Sequence, residues 1–445
     1  MSSLELLLDK QKNRRLFALA LPMILSNITV PLLGLVDTAV IGHLSSAYYL
    51  GGVAVGSTLI TLIFWLLGFL RMSTTGLVAQ AFGAQDNQGQ YRLLIQSGSL
   101  ALLLGIAAIL LQKPIILLAT SLSDASAEVL YYAQLYFQIR IWSAPFALLN
   151  LALLGWLLGR QQPRAAMWQL IIANLANICL DLLFVIGFGW GVSGAAWASV
   201  LADIIGFSVA ATLVWRELAR QGDFVFRPLL ASLHFSSLGN LLRLNRDIFI
   251  RSLCLQLTFA FMTFQGANLG DNTVAANAVL LNLLLLISYA LDGIAYYAEA
   301  EVGRAFGEKN RHRMTESVIL ASLWSAIFAL LFTLLFSLYG RQLIALLTGL
   351  AEVRALAQTY LIWVIIMPLL AFGSYLFDGV YIGAAKGKIM RNSMMLATFI
   401  VFFPSYLLLQ PTGNHGLWAA LSLFMIARSL SLAVHYRYRL QRELA

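Results

Sequence analysis

Apolar runs long enough to cross a bilayer recur twelve times along the chain. They lie at roughly 16–41, 50–73, 93–113, 130–158, 165–187, 192–214, 245–266, 274–300, 315–338, 356–382, 392–410 and 415–434. A helix needs about 20 mostly apolar residues to span the hydrocarbon core, and each run meets that length. The polar stretches between them are short, so the pattern predicts an all-α integral membrane protein with almost nothing left for a soluble domain. The longest non-apolar stretch, Arg216 to Asn245, contains Gly222-Asp223 and Arg227-Pro228 and separates six runs from six. It predicts an N-terminal six-helix bundle over 1–220, a connector over 221–243 and a C-terminal six-helix bundle over 244–445.

The two sets of six are copies of one another. Shifted by 224 residues, Gly42 falls on Gly266, Ala81-Phe82-Gly83 on Ala305-Phe306-Gly307, Tyr136 on Tyr360 and Gly159 on Gly383. Six is even, so both halves enter the membrane from the same side. The repeats are therefore parallel, with a pseudo-twofold axis along the membrane normal, and a cleft between two lobes is the arrangement expected of a transporter. Gly52 to Gly56 and Gly155 to Gly159 carry the spacing of close helix packing.

Composition and charge fix which sides face water. The chain is 60% hydrophobic and 11% charged, with a mean hydropathy of +0.81, too little polar surface to cover a soluble globule of 445 residues. The net charge of +9 follows the loops rather than forming a patch for nucleic acid. Of the 29 Lys and Arg, 23 fall on one side and three on the other, Lys113, Arg341 and Arg354; Arg140, Arg251 and Arg428 lie inside spans. The positive-inside rule then puts both termini and the connector in the cytoplasm. The first apolar run is a full span containing Pro22, Pro31 and Asp37, which argues against a cleavable signal peptide.

Several motifs fail on context. Gly189-Trp190-Gly191-Val192-Ser193-Gly194 has the glycine spacing of a dinucleotide loop, yet it follows a membrane helix and is expected to be a turn between spans 5 and 6. Cys179 and Cys254 lie in different spans without partner spacing. The five histidines are scattered, and no Walker loop, HExxH or aspartate-rich motif occurs. No cofactor and no metal site is expected, and a pump of this sequence must draw on an ion gradient.

The informative residues are charges at membrane depth, each costing at least about 2.5 kcal/mol on insertion scales unless partnered. Arg140 on span 4 and Asp203 on span 6 match in depth, which predicts a structural ion pair. Asp37 and Asp181 sit in the outer half on spans 1 and 5 with no basic residue left at that level. Desolvation and mutual repulsion favour the protonated acid, the property a proton carrier needs. Asn174, Asn177 and Asp181 share one face of span 5, and Asn177 can hydrogen-bond either form of Asp181. Pro22 and Pro31 free backbone carbonyls and allow span 1 to bend near Asp37. The second half does not repeat the acids: Asp37 aligns with Phe261 and Asp181 with Ser405. Its charges, Arg251, Asp292, Glu299, Glu301, Asp378 and Arg428, lie toward the cytoplasmic ends, where Arg251 with Asp292 or Asp378 is expected to brace or gate the lobe.

Ala20-Leu21-Pro22, Val36-Asp37-Thr38, Ile41-Gly42-His43-Leu44, Gln80 to Ala84, and Asn177 to Asp181 followed by Gly189-Trp190-Gly191 and Gly194-Ala195-Ala196 resemble the multidrug and toxic compound extrusion family over the whole length, most closely its bacterial DNA-damage-inducible F branch. The resemblance implies twelve helices in two bundles and export of amphipathic, usually cationic compounds in exchange for protons or sodium, by a multi-pass protein of the bacterial inner membrane. It makes Asp37 and Asp181 the coupling acids, Asn177 a support for Asp181, and Tyr136, Asn150 and Ser199 cavity-lining residues. Sodium-coupled relatives carry a glutamate in span 7 where this chain has Arg251, which favours H+ over Na+.

The expected mechanism is alternating access, with protons displacing a cationic cargo from Asp37 and Asp181 as span 1 bends. Tyr136, Trp142, Phe146 and Trp156 could stack on flat cations, though aromatic residues at this spacing more often face lipid or core. The expected partners are small organic cations and the bilayer, with the protein acting as a monomer. The alternatives are a sodium-coupled exporter, or a lipid-linked oligosaccharide flippase, which would need a more cationic cavity. A membrane-embedded enzyme would need clustered catalytic groups that the sequence lacks. A channel or receptor would not require the uneven charge of the two halves.

Overall fold

The computed structural model describes residues 3–42, 44, 47–122, 124–222 and 235–444, without the side chains of residues 3, 4, 35, 37, 38, 47 and 235–237. Among the described residues, twelve helices are long and apolar enough to span a membrane: α1 (Lys10–Gly42), α2 (Tyr48–Gly83), α3 (Asn87–Leu110), α4 (Ala127–Gly159), α5 (Pro163–Gly187), α6 (Gly191–Gln221), α7 (Leu238–Leu269), α8 (Asp271–Gly307), α9 (Arg311–Leu347), α10 (Ala351–Gly383), α11 (Gly387–Thr412) and α12 (Asn414–Arg442). The outward faces are leucine-rich. Leu330, Leu331, Leu334 and Leu338 of α9 are exposed, while Ser317, Ala321, Ser325 and Ala329 pack inward. Small residues inward and leucine outward is the packing solution for helices in lipid, where close backbone approach replaces the hydrophobic drive.

Contacts divide the chain into two units, one holding Leu25–Ala81 and Asp86–Leu241, the other Met1–Ile24, Phe82–Gln85 and Leu242–Ala445. The main switch, between Leu241 and Leu242, falls inside the 221–243 connector, while Met1–Ile24 and Phe82–Gln85 group with the second half. The start of α1 packs with the second half of the chain, because Lys12 pairs with Glu316 (2.8 Å), Arg15 with Glu301 (2.7 Å), and Asn13 accepts from Trp324 Nε1 (2.7 Å). Most of the 221–243 connector lies outside the described residues.

The repeat expected from the sequence extends to backbone detail. Four interhelical corners carry a non-glycine residue at positive φ: Gln85 (56°), Gln161 (61°), Lys309 (53°) and Ala385 (54°). They form two pairs, each 224 apart. At every corner the following amide reaches back five residues, from Asp86 to Ala81, Gln162 to Leu157, Asn310 to Ala305 and Lys386 to Tyr381. This is the left-handed helix stop, and a glycine two residues earlier lets the helix end approach its neighbour. Asp86 and Asn310, also 224 apart, then cap the next helices by accepting from Gly89 N and Arg313 N.

Glycine packing repeats too. A Cβ on Gly155 would stand 2.6 Å from the Arg71 carbonyl, and one on Gly159 2.8 Å from that of Thr75. In the second half the equivalents, Gly379 and Gly383, would meet the carbonyls of Ala295 and Glu299, both at 2.4 Å. Backbone cannot yield as a side-chain tip can. Gly383→Ala is therefore expected to destabilise the protein by about 1–3 kcal/mol, as overpacking does, read as a fall in the melting temperature of the detergent-solubilised protein.

In the second unit Asn277 and Asn414 exchange hydrogen bonds (2.9 and 2.8 Å), and Trp418 Nε1 donates to Asn277 (2.9 Å), pinning α8 to α12 within a large apolar core. At the α8–α9 corner Glu308 accepts from Arg304 (2.7 Å) and Arg313 (3.0 Å). Burial raises its pKa, but the hydrogen bond from Arg304 and the charges of Arg313 and Arg304 outweigh that and hold it below the ordinary range. A carboxylate depressed in the folded state contributes stability that is complete above its unfolded pKa, about 4.3, and is lost as pH falls through the folded value. Between pH 6 and 3.5 the melting temperature of wild type should fall further than that of Glu308→Gln.

Candidate functional site

The helix pair α5–α6 builds the site. Small residues on α6, among them Gly194, Ala198, Ala202 and Gly206, let the helices approach closely; a Cβ on Gly194 would lie 3.0 Å from the Phe184 carbonyl, and one on Gly206 2.8 Å from Gln169 Nε2. That closeness brings Asn177 to Ser199, with Nδ2 and Oγ 3.5 Å apart. Asn174, one turn along, donates to Thr29 Oγ1 on α1 at 2.6 Å. Asp181 completes the stripe and is 3% exposed. Immediately after it, Leu182–Gly187 is π-helical. The wider turn has a local cause: the helix runs out into Gly187-Phe188-Gly189, and Phe188 N reaches back to Leu183 O. Such a turn loosens the regular ladder beside the acid, and π turns concentrate at functional positions.

Asp37 lies on the continuous helix α1, as do Pro22 and Pro31, but its side chain is outside those described. Tyr136 is 6% exposed and packs with Val40, Ile41, Val185, Val192 and Ala196. Asn150 is half-buried, its Oδ1 without a hydrogen-bond partner. Of the aromatic residues on α4, Trp142 is exposed, whereas Trp156 is fully buried and donates to the Gln90 carbonyl at 3.0 Å.

Arg140 and Asp203 are paired as expected, and Ser143, not expected, joins them. Ser143 donates to Asp203 (2.8 Å) and lies against the Arg140 guanidinium. Ser143 is available because α4 tightens to a 3-10 turn over Ile141–Ser143 ahead of Pro145, whose missing N–H cannot continue the α ladder. Thr29 and the fully buried Gln169 are further polar residues of this bundle that helical periodicity alone did not reveal. The Arg three positions before Ser143 was the signal that could have found it.

In the second unit Asp378 accepts from both Arg251 and Arg428, the latter at 2.7 Å. The expected choice of Arg251 between Asp292 and Asp378 is thus resolved toward Asp378, with no ion pair between Arg251 and Asp292 among the described residues. Nor do those residues contain a group of three His, Cys, Asp or Glu able to hold a metal ion.

The MatE family pattern matches twice, over residues 22–183 and 248–407. The chain is 47% identical to DNA damage-inducible protein F of Escherichia coli K12, over 96% of this chain and 92% of that one. It is 26% identical to the probable multidrug resistance protein NorM of Geobacillus kaustophilus, over 96% and 95%. A crystal structure of MATE in the straight conformation superposes with a TM-score of 0.86 at 20% identity, covering 97% of this chain and 96% of that one, which establishes a shared fold.

Proposed function

The chain belongs to the MatE family of multidrug and toxic compound efflux transporters, and on that premise we propose that it exports amphipathic organic cations in exchange for protons. The observation that carries this reading is Asp181, a carboxylate buried in an apolar bundle, on one face with Asn174 and Asn177, at the start of a π turn. A buried acid favours its neutral form, so its proton affinity rises toward the range where a physiological gradient can load and unload it. The cargo's positive charge and the proton then compete for one carboxylate. Asp37, from its place on α1, is the second acid of the scheme; Asn177, expected to support Asp181, turns its amide N–H to Ser199 instead and leaves its Oδ1 without a partner.

Sodium coupling is disfavoured by the second unit, where Asp378 is already engaged by two guanidinium groups and offers a cation nothing but repulsion. We place the protein in the bacterial inner membrane with both termini in the cytoplasm, working as a monomer by alternating access. Proteoliposomes given a pH gradient or a sodium gradient separately test the reading. Uptake of a fluorescent organic cation driven by the pH gradient alone is expected; uptake driven only by sodium would overturn it.

A further inference from the structure

An open groove on α3 and α4 holds polar groups where the second half of the chain holds mostly apolar ones. Its volume is about 330 Å³, and it is lined by Gln112, Lys113, Ile116, Gln138 and Trp142. The repeat of 224 supplies an internal control. Gln112, Lys113, Gln138 and Trp142 fall on Phe336, Ser337, Ile362 and Ile366, and Ile362 is an exposed apolar residue of the kind that faces lipid. Pro114 accounts for the shape. It falls on Leu338 of the unbroken α9, whereas α3 stops at Leu110 and a second helix, Gln112–Ser121, sets off beyond Leu111. A proline cannot donate to the carbonyl four residues back, so the helix breaks there.

Lys113 is exposed and makes no hydrogen bond or ion pair among the described residues. The acids of its surroundings are not its partners: Asp203 is held by Arg140 and Ser143, and no ion pair joins Lys113 to Asp124 or Glu128. Leu110 and Leu111 before it, and Leu117 and Leu118 after it, are all more than half exposed. Bare leucine on both sides belongs in lipid, so the ammonium reaches for the edge of the bilayer, where phospholipid phosphates supply the anions. Trp142, 56% exposed, is an aromatic suited to the same level. We propose that this groove binds an anionic glycerophospholipid, its phosphate on Lys113 and its headgroup hydroxyls on the Gln112 and Gln138 amides. The acyl chains then run along Leu103, Ile106 and Leu110, an exposed stripe at helical spacing that leads away from the groove on α3. Phosphatidylglycerol fits. Phosphatidylethanolamine brings a second ammonium to a groove whose lining holds no carboxylate. On the topology proposed above the groove opens to the outer leaflet, and the site does not depend on the coupling ion.

The test is native mass spectrometry of the intact protein released from micelles that contain phosphatidylglycerol and phosphatidylethanolamine in equal amounts. Wild type is expected to retain phosphatidylglycerol over phosphatidylethanolamine by at least about fivefold, the factor for a single lysine at a charged lipid surface. Lys113→Gln should lose that preference. Gln138→Ile, which installs the residue of the second half, should melt like wild type and retain the lipid more weakly. Arg341→Gln removes another cation predicted for the same side of the membrane and should leave the preference unchanged, which separates this groove from charge in general. Soluble glycerol phosphate is the free-anion arm, and it should not displace the lipid. Equal retention of the two lipids by wild type, an undiminished preference in Lys113→Gln, an equal loss in Arg341→Gln, or displacement by glycerol phosphate would overturn the proposal.

Discussion

Replacing Asp181 with asparagine is expected to abolish pH-driven export of a fluorescent cation in proteoliposomes, lowering the initial rate by at least roughly 100-fold, about 2.7 kcal/mol. The substitution is close to isosteric and neutral, so it mimics the protonated acid permanently. Asp181 is buried beside a π turn whose geometry comes from Gly187 to Gly189 and from the close approach of Gly194, none of which the substitution touches. The variant should therefore insert and melt like wild type while losing coupling. Because the cargo and the proton are proposed to share the carboxylate, binding of the cation should also lose its pH dependence. A variant that binds the cation as tightly at pH 5 as at pH 8, but no longer transports it, would place Asp181 in the coupling step. One that still acidifies the medium on adding cargo would exclude it.

The largest effect on stability is expected at Asp378→Asn. That change takes from buried Arg251 and Arg428 the carboxylate they share, and breaking a buried pair on one side typically costs about 3–5 kcal/mol. Neutralising one arginine as well should restore part of the loss, so the double variant Asp378→Asn with Arg428→Gln is expected to melt above the single Asp378→Asn. Arg428→Gln alone should be mild, because it leaves one cation facing one anion. A double-variant cycle on the purified protein checks all three values, and additive losses at the two sites would show that the charges do not interact.

The spans were legible because burial in lipid demands an unbroken apolar run, a signal strong enough to survive in a single sequence. Their ends were not. α8 runs over Asp271–Gly307 and α9 over Arg311–Leu347, beyond the apolar runs at 274–300 and 315–338, since a helix continues into water wherever its polar residues still favour it. The Arg140–Asp203 pair followed from depth matching alone, because two opposite charges in an apolar medium have few alternatives. Asp378 was harder. Arg428 stands near a helix end, where its side chain could equally have reached water, and only the packing of α10 against α12 turns it inward. The interruptions at Ile141–Ser143, Leu182–Gly187 and Leu396–Phe402 leave no mark on hydrophobic spacing; Pro145 signals the first and Gly187 to Gly189 the second.

The four matched corners and the matched glycine contacts have an outcome for any saturation mutagenesis of this chain. Tolerance profiles should be mirrored at a separation of 224 for backbone-limited sites, with Gly155 behaving as Gly379 and Gly159 as Gly383. The ionisable positions have no such mirror, since Asp181 faces Ser405 in the register and Asp378 faces Leu154. Fitness maps of the two halves would thus coincide where shape is inherited and diverge where chemistry has been reassigned.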